Sequence, residues 1–285
     1  MIKSLFLSVG AMKAGTTWLY ANLKRHPEIY FTPEKEIHYF SYISGIEKQL
    51  EHRNRIMKLK TVMGRYAQKN PKLIAEKANE IYWYANYARR RKIDDNWYRS
   101  LFSLSGGRKY CADFSNLYAQ LPDEGWRSVY RVSGRVKVIY TLRDPLERVW
   151  SHYKFHMKFI GRGDEVLSAG LDSFMETIGQ PWFWRNSEYS ENYSVISRNV
   201  PEEDRLLLYL EELSKTPKKE LLKIRDFLGI SPFAFDEKLL RMRVNRTDSI
   251  PFPAEWKSYA AERLEREERR MRDMGIWHER WESVL

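Results

Sequence analysis

Three short apolar runs divide the chain, and each is followed by a segment in which apolar residues recur at helical spacing. The runs are residues 2–9, 136–142 and 205–210. Continuous apolar runs of this kind are typical of strands that are buried on both faces of a parallel sheet. The repeated order of strand and helix therefore predicts an α/β fold, in which helices flank a central parallel sheet in three layers.

Each predicted helix has a recognisable boundary. The first, residues 16–25, cannot continue through Pro27. The second begins at the sequence DPLE, residues 144–147, which resembles a capping box with proline at the first helical position. The third lies between Pro217, which opens a helix, and Gly229, which ends one.

Two further segments are predicted to be helical. Residues 47–105, most densely YWYANYARRRK, are basic and aromatic and form a predicted insertion. Either its aromatics fill the core while its arginines face solvent, which we favour, or the whole face binds an acceptor or nucleic acid. Residues 254–285 have mixed charge at helical spacing, typical of a surface helix. Because repeats and low-complexity linkers are absent from the sequence, residues 1–285 are predicted to form a single domain.

Composition adds two constraints. The net charge of +11 at pH 7 favours an anionic partner, and a nucleotide cosubstrate, an acidic glycan, nucleic acid and a membrane surface all qualify. The single cysteine, Cys111, excludes an intramolecular disulfide and fits a reducing compartment, so we expect a cytoplasmic protein. The first apolar run is interpreted as a buried strand rather than a signal peptide, and no stretch approaches the roughly 18 apolar residues of a membrane span.

The segment SVGAMKAGTTWLY, residues 8–20, is similar to a phosphate-binding loop with a displaced lysine. Gly10 and Gly15 have the spacing of a Walker A loop, but Thr16 stands where that loop has lysine, and Lys13 lies inside the loop. Backbone N–H groups of a glycine turn at a helix N-terminus bind phosphate oxygens. The segment therefore predicts an anion-binding site that differs from the site of ATP-dependent enzymes.

A second anion-binding motif begins where the second predicted strand ends. Arg143 would emerge at the carboxyl end of a parallel strand, which is the edge at which open α/β sheets bind ligands. Ser151 follows on the next helix, where Glu147, Arg148 and Ser151 are predicted to share a face. Arginine binds phosphate through two parallel hydrogen bonds, and a serine hydroxyl adds a third. Alternatively, Arg143 pairs with a neighbouring carboxylate.

Together these motifs resemble sulfotransferases that use 3′-phosphoadenosine 5′-phosphosulfate (PAPS). SVGAMKAGTTWLY is similar to their 5′-phosphosulfate loop, and VIYTLRDPLERVWSHY resembles their 3′-phosphate motif, in which serine follows arginine after eight residues. TPEKEIHYFS is similar to the Lys-Glu-x-His-Phe-Phe stretch of heparan-type carbohydrate sulfotransferases. LLLYLEELSKTPKKELLKIRDFLGI resembles the later strand and helix of the family. Taken together, these segments extend the resemblance over most of residues 2–230.

The resemblance implies a set of contacts to the donor PAPS and its product, 3′,5′-adenosine bisphosphate (PAP). Lys13 would neutralise the leaving group, Trp18 would stack on the adenine, and residues 243–247 would form the remaining adenine contact. Arg143 and Ser151 would bind the 3′-phosphate. The complete implied set is Lys13, Ala14, Gly15, Thr16, Thr17, Trp18, Arg143, Ser151 and Arg246.

The resemblance also implies a general base. Glu36 matches the base of the heparan type, and His38 is the competing candidate because many small-molecule sulfotransferases use histidine. We expect the apolar side chains at positions 37, 39 and 40 to desolvate Glu36 and so to make it a better base. The glutamate favours a carbohydrate acceptor, although Phe114 replaces the lysine of a Glu-Lys-Ser stretch in heparan-type enzymes.

The predicted reaction is an in-line displacement at sulfur that requires no metal. A sulfuryl group in transfer carries one negative charge where a phosphoryl dianion carries two, so lysine and backbone donors suffice without Mg²⁺. The sequence has no His or carboxylate cluster with metal-ligand spacing. Three alternatives stay open: a P-loop kinase or NTPase that needs Mg²⁺, a nucleic-acid-binding protein that uses residues 89–92, and an inactive cofactor-binding relative.

Overall fold

A five-stranded parallel sheet lies at the centre of the computed structural model, which describes residues 2–69, 76–241 and 250–284. The strand order is β2-β3-β1-β4-β5. The strands are β1 (Leu5–Gly10), β2 (Ile29–Phe31), β3 (Tyr110–Asp113), β4 (Val136–Leu142) and β5 (Arg205–Tyr209). The predicted α/β fold with a central parallel sheet is confirmed.

The sheet places the most apolar strand in the middle. β1 is buried along its whole length and pairs with β3 on one side and β4 on the other, so that Leu5 lies opposite both Cys111 and Val136. Successive side chains of a strand point to opposite faces of the sheet. Accordingly, Leu5 and Leu7 belong to one core cluster and Phe6 to another.

Helices cover both faces of the sheet. Their ranges are α1 (Thr16–Leu23), α2 (Tyr39–Ile43), α3 (His52–Lys69), α4 (Ala78–Ala88), α5 (Asp95–Ser100), α6 (Asp123–Val132), α7 (Pro145–Phe159), α8 (Gly170–Gly179), α9 (Pro181–Trp184), α10 (Tyr189–Asn199), α11 (Leu210–Lys215), α12 (Pro217–Leu228), α13 (Glu237–Arg241) and α14 (Ala254–Asp273). Side chains of α4 and α6 pack in the cluster of Leu5, and side chains of α1 and α12 pack in the cluster of Phe6. The predicted three layers are therefore present.

The predicted limits of three elements are wrong by one to three residues. β1 begins at Leu5 and ends at Gly10 rather than covering residues 2–9. α1 ends at Leu23 rather than at residue 25, and β5 ends at Tyr209 because Leu210 already begins α11. β2 and β3 were not predicted. With three and four residues respectively, they are too short to show an apolar pattern of their own, and the register with β1 defines them.

The helical insertion buries most of its aromatic side chains, although Tyr82 is exposed. Trp83, Tyr84 and Tyr87 of α4 are buried, whereas Arg89 and Arg90 are exposed. This is the arrangement expected of an amphipathic helix whose aromatics belong to the core. Cys111 is a free, buried thiol. Among the residues that the structure describes, no helix is both long and apolar enough to cross a membrane.

Local geometry at two helix starts positions the ligand-binding edge. Gly15 caps α1 with φ 91°, and a Cβ there would lie 2.7 Å from Cδ1 of Leu210, so only glycine fits. Asp144 caps α7 by accepting a hydrogen bond from the N–H of Glu147 at 3.0 Å. The predicted capping box is incomplete, since the N–H of Asp144 donates to Glu211 rather than to Glu147.

Candidate active site

A single cleft at the carboxyl edge of the sheet contains most of the predicted site residues. Its volume is about 1410 Å³. The predicted residues that line it are Lys13, Gly15, Thr16, Thr17, Trp18, Glu36, His38, Arg143 and Ser151. Ala14 is fully buried behind the loop and does not line the cleft, and Arg246 lies outside the described residues. The strand order explains the convergence, because β1 and β4 are neighbours and their carboxyl ends meet at one edge.

Lys13 projects from the loop between β1 and α1 into this cleft. It adopts the left-handed region with φ 70°, and its Nζ lies 4.6 Å from the ring centroid of Phe155. Burial, with the nearby charges of Arg143 and Lys154, lowers the pKa of Lys13 from 10.5 to about 8. The lysine is thus a cation that has lost part of its hydration and gains most from a bound anion.

Lys35, the first residue of the stretch that matches Lys-Glu-x-His-Phe-Phe, connects the loop to the candidate base. Its ammonium group donates to the hydroxyls of Thr16 and Thr17, each at 3.2 Å, and to Glu36 at 2.8 Å. The Lys35 side chain is only 17% exposed. Its spacing from the loop in sequence gives no indication of this contact, which arises because residue 35 follows β2 at the same sheet edge.

The carboxylate of Glu36 has three polar partners. Besides Lys35, it accepts hydrogen bonds from Asn116 at 3.3 Å and contacts Nε2 of His38 at 3.3 Å. Burial raises the pKa of Glu36, but the hydrogen bond with His38 and the charge of Lys35 outweigh it, and the pKa falls to about 2. The expectation that desolvation would make Glu36 a stronger base is therefore wrong.

His38 lies behind Glu36 and is almost completely buried. Its backbone is left-handed, with φ 59°, and its N–H donates to the hydroxyl of Ser115 at 2.9 Å. The ring contacts Glu36 through Nε2 and lies 3.4 Å from the Ser41 hydroxyl through Nδ1. Both candidate bases line the cleft. The side chain of Glu36 is 32% exposed, whereas that of His38 is 2% exposed.

A buried network holds the segment that contains His38. Asp113, at the end of β3, accepts hydrogen bonds from Ser115 at 2.6 Å, Tyr118 at 2.7 Å and Tyr98 at 3.1 Å. Ser115 in turn accepts the N–H of His38, so the network reaches the candidate base through two hydrogen bonds. Buried polar groups that are satisfied in this way fix one conformation of the surrounding chain.

Phe114 packs away from the cleft. It is buried and makes edge contacts with Phe6, Tyr20 and Phe31. The position that carries a lysine in the resembling stretch therefore contributes to the core here. In this structure the ammonium group beside the loop hydroxyls belongs to Lys35 instead.

Arg143 and Ser151 line the cleft from the end of β4 and from α7. Arg143 pairs with Glu147 at 2.9 Å and donates to the carbonyl of Lys13 at 3.4 Å. Ser151 is 4% exposed. The pair of Arg143 with Glu147 is the alternative that the sequence left open, but an exposed ion pair of this spacing stabilises by only about 0.5 kcal/mol. A bound phosphate can therefore displace Glu147.

Arg148 does not share the face of Glu147 and Ser151, which corrects the prediction for this helix. It is fully buried, its guanidinium donates to Ser187, and it contacts His152 at 3.3 Å. Burial lowers the pKa of Arg148 to about 10 and, with the charge of Arg148, lowers that of His152 well below its ordinary value. Arg148 supports the cleft wall from behind without lining it.

Trp18 forms the end of the cleft nearest to α13. The indole is 9% exposed and its N–H donates to the carbonyl of Leu240 at 3.3 Å. Leu240 and Arg241 line the cleft at the same point. Residues 242–249 are outside the described part of the structure.

Several aromatic residues that line the cleft could not be recognised as site residues from the motifs. Phe155, Phe159 and Trp182 line the cleft and are exposed. Helical spacing could have identified two of them, because Phe155 is four residues beyond Ser151 and Phe159 four beyond that. Trp182 lies on α9 and could not have been assigned in this way.

No group of three or more His, Cys, Asp or Glu side chains within residues 2–69, 76–241 and 250–284 is arranged to hold a metal ion. The cleft instead contains cations and hydroxyls at the loop, and a carboxylate with an imidazole beside it. Such groups can bind an anion and accept a proton from a neighbouring molecule.

The fold and this edge of the sheet define a class of nucleotide-binding α/β protein, and sequence comparison defines its family. Residues 6–235 match the sulfotransferase family. Because the match covers well over half of the 285 residues, the chain belongs to the sulfotransferase family, as its motifs predicted.

Similar proteins have been found by sequence and by structure. The membrane-associated sulfotransferase kil1 of Dictyostelium discoideum is 27% identical over 159 residues, which span 55% of this chain and only 24% of that protein. A sulfotransferase from Alicyclobacillus acidocaldarius has a TM-score of 0.64 at 20% identity and covers 97% of this chain and 96% of its own. The sulfotransferase domain of the Synechococcus PCC 7002 olefin synthase has a TM-score of 0.50 at 18% identity, with 92% and 94% covered. At these identities the structures show a shared fold.

Proposed function

We propose that this protein transfers the sulfuryl group of PAPS to a hydroxyl or amine of a carbohydrate or glycoconjugate and releases PAP. The observation that carries the proposal is the presence in one cleft of the Lys13 loop, the pair of Arg143 and Ser151, and the Glu36 carboxylate. Transfer from a bisphosphorylated nucleotide needs two anion-binding sites and a base between them and the acceptor. Family membership supports the same reaction.

The donor half of the cleft consists of the loop at residues 13–18 with Arg143 and Ser151. Backbone N–H groups at the start of α1 and the hydroxyls of Thr16 and Thr17 bind the 5′-phosphosulfate in this proposal. Arg143 exchanges Glu147 for the 3′-phosphate, and Ser151 adds a hydroxyl. Trp18 closes the adenine end of the cleft in this proposal, and Arg246 is proposed as a further contact to the nucleotide.

The acceptor half consists of Glu36, His38 and the aromatic side chains beyond them. In the proposed reaction the acceptor oxygen attacks sulfur in line with the bond from sulfur to the 5′-phosphate oxygen. A new S–O bond forms, the old one breaks, and its electron pair remains on the phosphate. Glu36 accepts the proton of the acceptor hydroxyl, and His38 orients the carboxylate from behind.

Two lysines act on the charge that moves in this reaction. Lys13 stabilises the negative charge that develops on the leaving oxygen, in a partly buried site where such an interaction is strong. Lys35 donates both to the loop hydroxyls and to Glu36. A bound sulfonate competes for this ammonium group, and every hydrogen bond that Glu36 loses makes it more basic. Donor binding therefore activates the base.

A thermal-shift panel tests the donor assignment. PAP at 100 times its Kd should add about 2.7 kcal/mol to the free energy of unfolding. AMP, which lacks the 3′-phosphate, should stabilise less, and EDTA should leave the PAP effect unchanged. Greater stabilisation by ATP with Mg²⁺ than by PAP would instead favour a P-loop kinase or NTPase.

Turnover tests the acceptor assignment. The protein is incubated with PAPS and a panel of mono- and disaccharides, amino sugars and simple phenols, and sulfated products are identified by mass spectrometry. The Glu36 carboxylate and the Lys-Glu-x-His stretch support a sugar hydroxyl or amine as the preferred acceptor. Sulfation of the phenols alone would contradict that preference, and PAP binding without any turnover would indicate an inactive relative.

A further inference from the structure

The acceptor half ends in three aromatic side chains that are exposed to solvent. Phe155 is 39% exposed, Trp182 49% and Phe159 79%. We name these three side chains the aromatic rim. All of them line the cleft, with α7 providing the two phenylalanines and α9 the tryptophan. Exposed aromatic groups that border a ligand cleft indicate a surface that a ligand covers.

The aromatic rim is continuous with the proposed reaction centre. Nζ of Lys13 lies 4.6 Å from the ring centroid of Phe155, and the rings of Phe155 and Phe159 stack at 6.3 Å. Trp182 packs against the same helix, α7, since its ring centroid lies 4.9 Å from that of His156. A molecule bound beside Lys13 can therefore reach these rings.

The chemistry of the rim differs from that of the rest of the cleft. Phenylalanine rings neither donate nor accept ordinary hydrogen bonds, and burial lowers the pKa of His156, which favours its neutral ring. A free sugar has little apolar surface with which to cover the exposed ring of Phe159. An alkyl or aryl group covers such rings more completely and gains the free energy of apolar burial.

We propose that the aromatic rim binds an apolar alkyl or aryl part of the acceptor, directly beside the hydroxyl or amine that is sulfated. The acceptor is then an amphipathic compound, such as a glycolipid or an aryl glycoside, rather than a free polar saccharide. This proposal rests on the proposed function, because it assigns the polar end of the same molecule to Glu36.

Isothermal titration calorimetry with alkyl β-D-glucosides tests the rim separately from catalysis. Methyl, butyl and hexyl glucosides are titrated into PAP-saturated protein below their micelle concentrations. Full burial of one methylene strengthens binding about four-fold. Partial cover by the rim should therefore strengthen binding about two-fold per methylene, and the hexyl glucoside should bind at least about ten-fold more tightly than the methyl glucoside. Phe159→Ser should reduce this ratio to about three-fold or less.

Tyr82→Ser is the matched control, because Tyr82 is 61% exposed on α4 and does not line the cleft. It should retain the wild-type dependence on chain length. A Kd that is independent of chain length in the wild type, or equally altered by both substitutions, overturns the rim proposal. If the proposed function is wrong, the protein does not bind PAP. The dependence of the glucoside Kd on chain length can still be measured in PAP-free protein, so the two failures are distinguishable.

Discussion

The donor half and the acceptor half of the cleft differ in how the chain supplies their groups. The donor half comes from two contiguous motifs at the ends of neighbouring strands, and much of it is backbone at a helix start. The acceptor half comes from side chains on three separate segments, around Glu36, Phe155 and Trp182. The groups proposed for the nucleotide are thus positioned by local chain conformation, whereas those proposed for the acceptor depend on tertiary packing.

The two halves also differ in charge. The donor half presents Lys13 and Arg143 to an anion, and burial together with the charge of Arg143 lowers the pKa of Lys13. The acceptor half combines one carboxylate with neutral rings. Lys13 stands at the border, since it belongs to the loop and contacts Phe155. Substitutions that separate donor binding from turnover therefore sharpen the distinction between the halves.

Removal of Lys13, at this border, should have the largest effect. Lys13→Ala should lower kcat about 10²- to 10³-fold, as expected for a group that stabilises developing charge, with a smaller rise in KM for PAPS. Initial rates over a range of PAPS concentrations measure both parameters, and Lys223→Ala, an exposed lysine on α12, is the control. A normal kcat with only a raised KM would show that Lys13 merely binds.

Glu36→Gln should have the next largest effect, confined to the acceptor half. It keeps the shape of the side chain but removes its basicity, so kcat should fall about 10²-fold or more. Calorimetric affinity for PAP should stay within about two-fold, since Glu36 is not a donor contact in this proposal. His38→Gln should cost less. If the order is reversed, histidine is the base and the carbohydrate assignment loses its main support.

Arg143→Ala tests the donor half alone. It should weaken PAP binding by at least about 1.5 kcal/mol, which is more than ten-fold, because a hydrogen bond to a charged group is lost. Binding of 5′-AMP should hardly change. Glu147→Gln, which removes only the ion pair of Arg143, should leave PAP affinity unchanged or slightly higher. An equal loss for PAP and AMP would contradict the assignment of Arg143 to the 3′-phosphate.

Lys35→Met tests the connection between the halves. Loss of its hydrogen bonds to Thr16 and Thr17 should raise KM for PAPS about five-fold, which corresponds to a net loss of about 1 kcal/mol. It should also raise the pKa of Glu36, visible as a shift of the acidic limb of kcat/KM. Lys58→Met, which removes the ion pair to Glu34 in the same segment, should change neither quantity.

The pH dependence should show the smallest effect. Lys13 must be protonated to bind the donor, and its pKa is about 8, so kcat/KM for PAPS should be half-maximal near pH 8 and fall as the pH rises further. Rates are measured between about pH 7 and pH 9.5, with Lys13→Arg as the control that moves this limb upward. Glu36, with a pKa of about 2, stays ionised throughout this range. A profile that is flat to pH 9.5 would exclude Lys13 as the titrating group.

The sequence by itself determined the family, the fold class and the composition of the donor half. In SVGAMKAGTTWLY and LRDPLERVWSHY the relevant groups lie within one strand, turn and helix, so residue spacing alone places them at one end of the unit. The limits of β4 were predicted without error for the same reason. The roles of these residues, the single domain and the cytoplasmic location stay predictions.

Only the tertiary structure decided what surrounds the candidate base. β2 and β3 exist through their register with neighbouring strands, and that register brings Lys35 to the hydroxyls of Thr16 and Thr17. The pKa of Glu36 is lowered, against expectation, because polar partners from two other positions outweigh desolvation. The aromatic rim likewise consists of side chains from two different helices, α7 and α9. Such contacts depend on distances between segments that are remote in sequence, and periodicity along the chain contains no information about those distances.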